Sequence, residues 1–119
     1  MAIYLNESDV EHLADMELAL AAVESSLVRQ GQGTSSNVGR RRAQINSGAL
    51  NIMGAADESL GVAGAKVYST FQGGNARFVV VLFDIRTGAL QAVIEAGRLG
   101  ELRTGAATGV AAKHLARED

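Results

Sequence analysis

Arg77-Phe78-Val79-Val80-Val81-Leu82-Phe83 is followed by Asp84-Ile85-Arg86-Thr87-Gly88 and then by Leu90-Gln91-Ala92-Val93-Ile94-Glu95-Ala96. The first run has strand length, is rich in β-branched and aromatic residues, and is apolar at odd and even positions alike. It therefore reads as a central strand with protein on both faces. The Asp/Thr/Gly segment reads as a hairpin loop, so the two runs should pair antiparallel. Working toward the N-terminus, three more runs of strand length stand between clusters of Gly, Asn, Asp and Ser: Ala65 to Phe71, Ala49 to Met53 and Arg40 to Ile45. With the short apolar opening Ile3-Tyr4-Leu5, they predict a mainly antiparallel sheet of about five or six strands.

Helical spacing appears at the two ends. Asn6-Glu7-Ser8-Asp9 carries helix-start chemistry, with Ser8 and Glu11 spaced as in a capping box. From Val10 to Arg29 the apolar residues recur at helical intervals, with a break at Asp15 that would start a second helix. Gln30 to Asn37 is the one stretch of low hydrophobicity in the interior and reads as a loop. Leu99 to Arg117 returns to helix, with the small residues Thr104-Gly105-Ala106-Ala107-Thr108-Gly109 at its middle. The fold class expected is α+β: N-terminal helices packed on the sheet, a C-terminal helix, and one domain over residues 1–119.

Composition narrows the chemistry. The chain has 119 residues, 47% of them hydrophobic and 20% charged, too apolar for a disordered tail and well suited to a single core. No stretch approaches the roughly 18 apolar residues of a membrane helix, and no basic segment precedes an apolar one at the start, so a cytoplasmic protein with no membrane partner is expected. Cysteine is absent, which excludes disulfides, thiol nucleophiles and thiolate metal sites. A net charge of −2 argues against general nucleic-acid binding, and Arg40-Arg41-Arg42 is too short a basic run to change that. His12 and His114 have no third ligand at a helpful spacing, so no metal site is expected.

The remaining candidates are cationic. Strand alternation puts Lys66, Tyr68 and Thr70 on one face of their strand. A partly desolvated ammonium there could neutralise a carboxylate, polarise a carbonyl or give up its proton; a solvated strand lysine is the plainer reading. Alternation also puts Arg40 and Arg42 on one side and Arg41 on the other, and a guanidinium fork grips a carboxylate at two points. An edge strand charged against aggregation accounts for the same run equally well. Arg103 and Thr104 are read as opening the small-residue helix, where free amides and the helix dipole favour an anion. Gly105 and Gly109, four apart, serve equally well to let another helix come close.

Three segments in order, Leu50-Asn51-Ile52-Met53, Gly64-Ala65-Lys66-Val67-Tyr68 and Leu102-Arg103-Thr104-Gly105-Ala106-Ala107 continuing through Ala111 to Arg117, resemble the ornithine cyclodeaminase/mu-crystallin family. Val80-Val81-Leu82-Phe83-Asp84 followed by Thr87-Gly88 fits the same pattern, and the resemblance extends over nearly the whole chain. It implies the substrate-binding and dimerising half of a two-domain protein whose second half is a Rossmann domain holding NAD(P) and a catalytic aspartate. It further implies Lys66 as the catalytic residue meeting the substrate, and Arg40 or Arg42, Asn51, Met53 and Arg103 as substrate-binding, with Arg40 favoured by its distance before Met53. Arg103, Thr104, Ala106 and Ala107 would lie against the nucleotide. Relatives often carry an acidic residue or histidine in place of Asn51 and proline in place of Gly54, which leaves ornithine itself in doubt as the substrate.

Two functions follow as expectations. One is the carboxylate-binding and dimerisation domain of an NAD(P)-dependent enzyme acting on an amino, imino or 2-oxo acid, binding no cofactor and catalysing nothing by itself. The other is a stand-alone homo-oligomeric module that holds a small carboxylate or assembles, and that should bury the Ala/Gly face of its last helix by self-association.

Overall fold

The computed structural model describes residues 1–118. In chain order the elements are β1 (Ile3–Leu5), α1 (Glu7–Leu13), α2 (Met16–Gln32), β2 (Ser35–Ile45), β3 (Gly48–Asp57), β4 (Val62–Phe71), β5 (Arg77–Asp84), β6 (Leu90–Glu95) and α3 (Gly97–Leu115). The strands form one six-stranded sheet in the order β1-β6-β5-β4-β3-β2. All neighbours pair antiparallel except β1 with β6. The expected α+β class and strand number hold, and β5 lies inside the sheet as its apolar sequence required.

Local chemistry sets the boundaries, in places differently from expectation. The cap of α1 is built by Asn6 and Asp9, whose side chains exchange bonds with each other's backbone amides, and not by Ser8 and Glu11. Asp15 caps α2 through the amide of Leu18. The polar stretch 30–37 holds almost no loop: α2 continues through Gln32, Gly33 ends it in the left-handed region at φ 80°, and β2 begins at Ser35. Exposed helix and edge strand tolerate polar residues as readily as a loop does, which is why composition misled there. The β5–β6 loop is as read, with the Asp84 carboxylate accepting the amides of Arg86 and Thr87.

The sheet has one covered and one open face. Alternation through the observed register sends Asn51, Met53, Lys66, Tyr68, Phe78 and Val80 toward the helices. The other face carries Ile45, Leu50, Ile52, Val67, Val79 and Phe83, and no helix covers it among the described residues. Ile52 is 44% exposed and Phe83 39%. The second apolar row of β5, which the sequence suggested would be covered by protein, is thus open. Under the helices the core is small: Leu102, Ala106 and Val110, one face of α3, join Val10, Ala92 and Ala96.

α3 is held from both sides. The Glu7 carboxylate accepts the amides of Gly97 at 2.6 Å and Arg98 at 2.9 Å. On the α2 side, a Cβ placed at Gly105 would meet Met16 at 3.0 Å, and one at Gly109 would meet Leu20 at 2.8 Å. These glycines serve helix packing, while Ala111 and Ala112 of α3 remain exposed and the sheet face adds a second open apolar area. At the far end Lys113 and His114 both reach Glu24 of α2. Between layers, Arg29 of α2 pairs with Asp57 at the end of β3.

Three outcomes are expected. Gly48 sits at φ 143°, where a Cβ would collide with the backbone of Thr70 and Phe71. Gly48→Ala should therefore cost about 1–3 kcal/mol in urea denaturation. Leu102→Ala should cost about 2–5 kcal/mol, since the vacated site is closed in by helix and sheet. The carboxyls of Asp57, through its hydrogen bond from Arg29, and Glu24, through His114 and then Lys113, are held below their ordinary values. Such groups stabilise fully above the unfolded-state value and lose that contribution as pH falls through the folded one. The melting temperature should be flat from pH 7 to about 5 and fall below about pH 4.

Candidate functional site

β4 supplies Lys66, and β4 and β5 together supply the aromatic floor beneath it. The rings of Tyr68 and Phe78, paired across β4 and β5, stack with centroids 5.0 Å apart. The Lys66 ammonium lies 5.0 Å from the Phe78 centroid and 5.5 Å from that of Tyr68. The first turns of α3 pass beside it, and a Cβ added at Gly100 would lie 3.7 Å from Nζ. Burial, then the charges of Arg103 and Arg40, hold the ammonium below its ordinary value of 10.5.

Arg40 approaches the same Tyr68 ring, and Arg42 lines the hollow beside it. A β-bulge between Val38 and Arg41 breaks the β2–β3 register, and beyond it Arg42 faces Asn51 and Arg41 faces Ile52. Arg40 and Arg42 thus stand on the helix side and Arg41 on the open side, as alternation implied. The Arg40 guanidinium carbon is 5.7 Å from the Tyr68 centroid. The Nε of Arg42 donates to Asn51 Oδ1 at 3.0 Å. Neither of these arginines, nor Lys66 or Arg103, has a carboxylate partner among the described residues.

Two hollows adjoin on this face. One of about 540 Å³ is lined by Met53, Lys66, Val80, Leu82, Asn37 and Arg103. The other, about 350 Å³, is lined by Arg40, Arg42, Gln44, Asn51, Tyr68 and Thr70. Sequence reasoning missed Tyr68 as part of the site, although its place two residues after Lys66 put it on the same face.

Asn51 is not a ligand contact as it stands. It is 2% exposed, and its amide donates to the Tyr68 carbonyl and the Thr70 hydroxyl while its oxygen accepts from Arg42. Every polar atom is used, and the residue positions Arg42. Arg103 and Thr104 also need correction: α3 begins at Gly97, so they stand in its second turn and present no free amides. At its start the amides of Gly97 and Arg98 are taken by Glu7. Ala106 has 0% exposure and is a packing contact, which leaves Arg103, Thr104 and Ala107 with surface of their own on that helix.

A dinucleotide would need amides for its phosphates, and these helix starts do not supply them. The N-termini of α1, α2 and α3 are closed by Asn6 with Asp9, by Asp15 and by Glu7. These residues do not fit the pyrophosphate of NAD(P); they fit the edge of such a molecule at most. His12 bonds the Ser8 carbonyl and His114 the Glu24 carboxylate. Among the described residues no helix is long and apolar enough to cross a membrane.

Fold and site together define a two-layer α+β domain with a cationic hollow between its layers, whose one lining carboxylate among the described residues, Asp57, is paired with Arg29. The chain belongs to the ornithine cyclodeaminase/mu-crystallin family, whose model matches residues 2–119. It is 31% identical over 123 residues to alanine dehydrogenase of Archaeoglobus fulgidus, covering 98% of this chain and 38% of that protein. An archaeal alanine dehydrogenase dimer with bound NAD superposes with a TM-score of 0.92 at 31% identity, over 99% of this chain and 38% of the other. The Δ1-pyrroline-2-carboxylate reductase of Thermococcus litoralis, in complex with NADH and L-proline, gives 0.90 at 29% identity, over 98% and 39%. The chain therefore spans less than two fifths of the relatives it matches.

The Lys66 shift has a measurable sign. Because the folded state disfavours the charged amine, the lysine costs stability below its folded pKa, and the cost disappears as pH rises toward 10.5. An NMR titration of the Lys66 side chain should place it below the ordinary lysine value. Arg103→Met should move Lys66 upward, since it removes the larger of the two opposing charges.

Proposed function

We propose that this domain binds the carboxylate of an amino, imino or 2-oxo acid through Lys66, Arg40 and Arg103, and pairs with a second copy through its open sheet face. In this reading the domain serves a cytoplasmic, NAD(P)-dependent enzyme of the family and is inactive without a nucleotide-binding partner domain. The observation that carries it is the approach of Lys66 and Arg40 to one aromatic floor, with Arg103 nearby and none of the three in an ion pair among the described residues. Such a cluster is costly until an anion enters, and binding relieves the repulsion as well as adding contacts.

Each residue then has a task. The guanidinium of Arg40 offers two parallel N–H donors to a carboxylate. Lys66, lowered in pKa, sits where it can hold the carboxylate or polarise an adjoining carbonyl or imine, and it is the proposed catalytic residue. Met53 and Val80 supply the apolar wall that excludes water. Arg103, with Thr104 and Ala107, borders the side on which a nicotinamide would stand; the bound cofactor would supply hydride transfer. The relatives with NAD, and with NADH and L-proline, support this assignment.

The open face supports the second half of the reading. It places large apolar side chains of four adjacent strands together, more than single surface residues account for. It equally favours a stand-alone assembly module, and the two readings part on ligand binding. Calorimetry with pyruvate should show binding that Lys66→Met weakens by at least about ten-fold. Heat indistinguishable from dilution at millimolar pyruvate would leave only assembly. Sedimentation should find a dimer that Val79→Lys converts to monomer; a wild-type monomer at micromolar concentration would sink the pairing.

A further inference from the structure

We infer that Tyr68 is a positioning residue of this site: its ring holds the Arg40 guanidinium beside the Lys66 ammonium so that both reach one carboxylate. The inference rests on the carboxylate-binding reading above and extends it to a residue that the ligand need not touch. Backbone pairing does not fix Arg40. The β2–β3 register runs as far as Val38 opposite Gly54 and resumes at Arg41 opposite Ile52, so Gly39 and Arg40 fall within the bulge. Arg40 is exposed there on an edge strand, and it has no ion pair among the described residues. A long side chain so placed samples many rotamers, and ordering it when a ligand arrives costs affinity. The Tyr68 ring, whose centroid lies 5.7 Å from the guanidinium carbon, supplies that order in advance. Guanidinium groups stack on aromatic faces, an option an aliphatic neighbour does not offer.

The ring is itself held in place. Phe78 pairs with Tyr68 across β4 and β5 and stacks on it, with planes 23° from parallel. β5 and β2 lie on opposite sides of β4 in the sheet, so Phe78 and Arg40 approach Tyr68 from opposite directions. The Tyr68 carbonyl accepts from the amide of the buried Asn51, which ties this part of β4 to β3. Lys66, two residues earlier on the same strand face, brings its ammonium to 5.5 Å from the same centroid. Two neighbouring cations repel, and the negative face of the ring offsets part of that cost before an anion enters. An aliphatic side chain at position 68 would leave Phe78 beneath Lys66, but nothing to keep Arg40 from turning out to solvent.

The test is a mutant cycle on the full chain, read by calorimetry with pyruvate, with circular dichroism certifying the fold of every variant. Arg40→Met and Tyr68→Leu should each weaken binding by about ten-fold, whereas Tyr68→Phe, which keeps the ring, should stay within about two-fold of the parent chain. In the Tyr68→Leu background, Arg40→Met should add less than about two-fold, because the arginine is already disengaged. Independent losses that simply multiply would overturn the inference. So would a loss in Tyr68→Phe as large as that in Tyr68→Leu, which would make the hydroxyl a ligand contact. A second readout needs no ligand: ring current should shift the Arg40 side-chain protons upfield in NMR spectra of the parent and Tyr68→Phe chains, and not in Tyr68→Leu. Absence of that shift in the parent chain would overturn the positioning role even if pyruvate binds. Absence of pyruvate binding with the shift present would overturn the carboxylate reading, leaving Tyr68 as the residue that holds Arg40.

Discussion

One carboxylate fixes the relation between the two layers. Glu7 reaches out of α1 to take the first two amides of α3, closing a helix start that has no side-chain cap of its own. Its neighbour Glu95, at the end of β6, accepts the amide of Glu7 and the hydroxyl of Tyr4. Strand, short helix and long helix are thereby joined at one corner, and α3 leaves that corner on a fixed line past Gly100 and the Lys66 ammonium. The place of Arg103 against Lys66 follows from that line. The charge arrangement in the hollow is therefore set by a contact formed at the far end of the sheet.

The same corner explains what the sequence could and could not disclose. The sheet was legible because alternation and turn residues are local signals, and Arg77 to Phe83 followed by Asp84 to Gly88 states strand, turn and pairing sense almost unaided. The break at Asp15 was legible for the same reason. Where a boundary depended on distant partners it was not. Arg103 read as a helix opener because nothing near it announces that Glu7 has started the helix six residues earlier. Asn51 read as a ligand contact because its bonds to Arg42, Tyr68 and Thr70 cross two strand pairs. Lys66 and Arg40 were recognisable as candidates from alternation and resemblance, but their meeting over Tyr68 needed the bulge in β2, which no composition rule marks.

The two glycines in α3 illustrate how one motif can serve a need other than the one first suspected. A run of small residues suggests room for a ligand, yet Met16 and Leu20 occupy the approaches to Gly105 and Gly109. Close contact between α2 and α3 lets Lys113 and His114 reach Glu24 and keeps the helix layer tight with few large side chains. Much of the core is alanine, so the layer depends on near approach more than on bulk.

The bulge in β2 has one more effect. The sheet has two edges: β1 is three residues long, and β2 is bent by the bulge and studded with arginine. Another strand would find neither a straight template nor an uncharged one. Growth in the plane of the sheet, which has no natural stopping point, is therefore obstructed at both ends. In the proposed pairing, contact across the open face would use the same surface on each copy and be complete after two. A surface apolar enough to aggregate would thus be channelled toward a finite assembly by where its arginines and its irregularity lie.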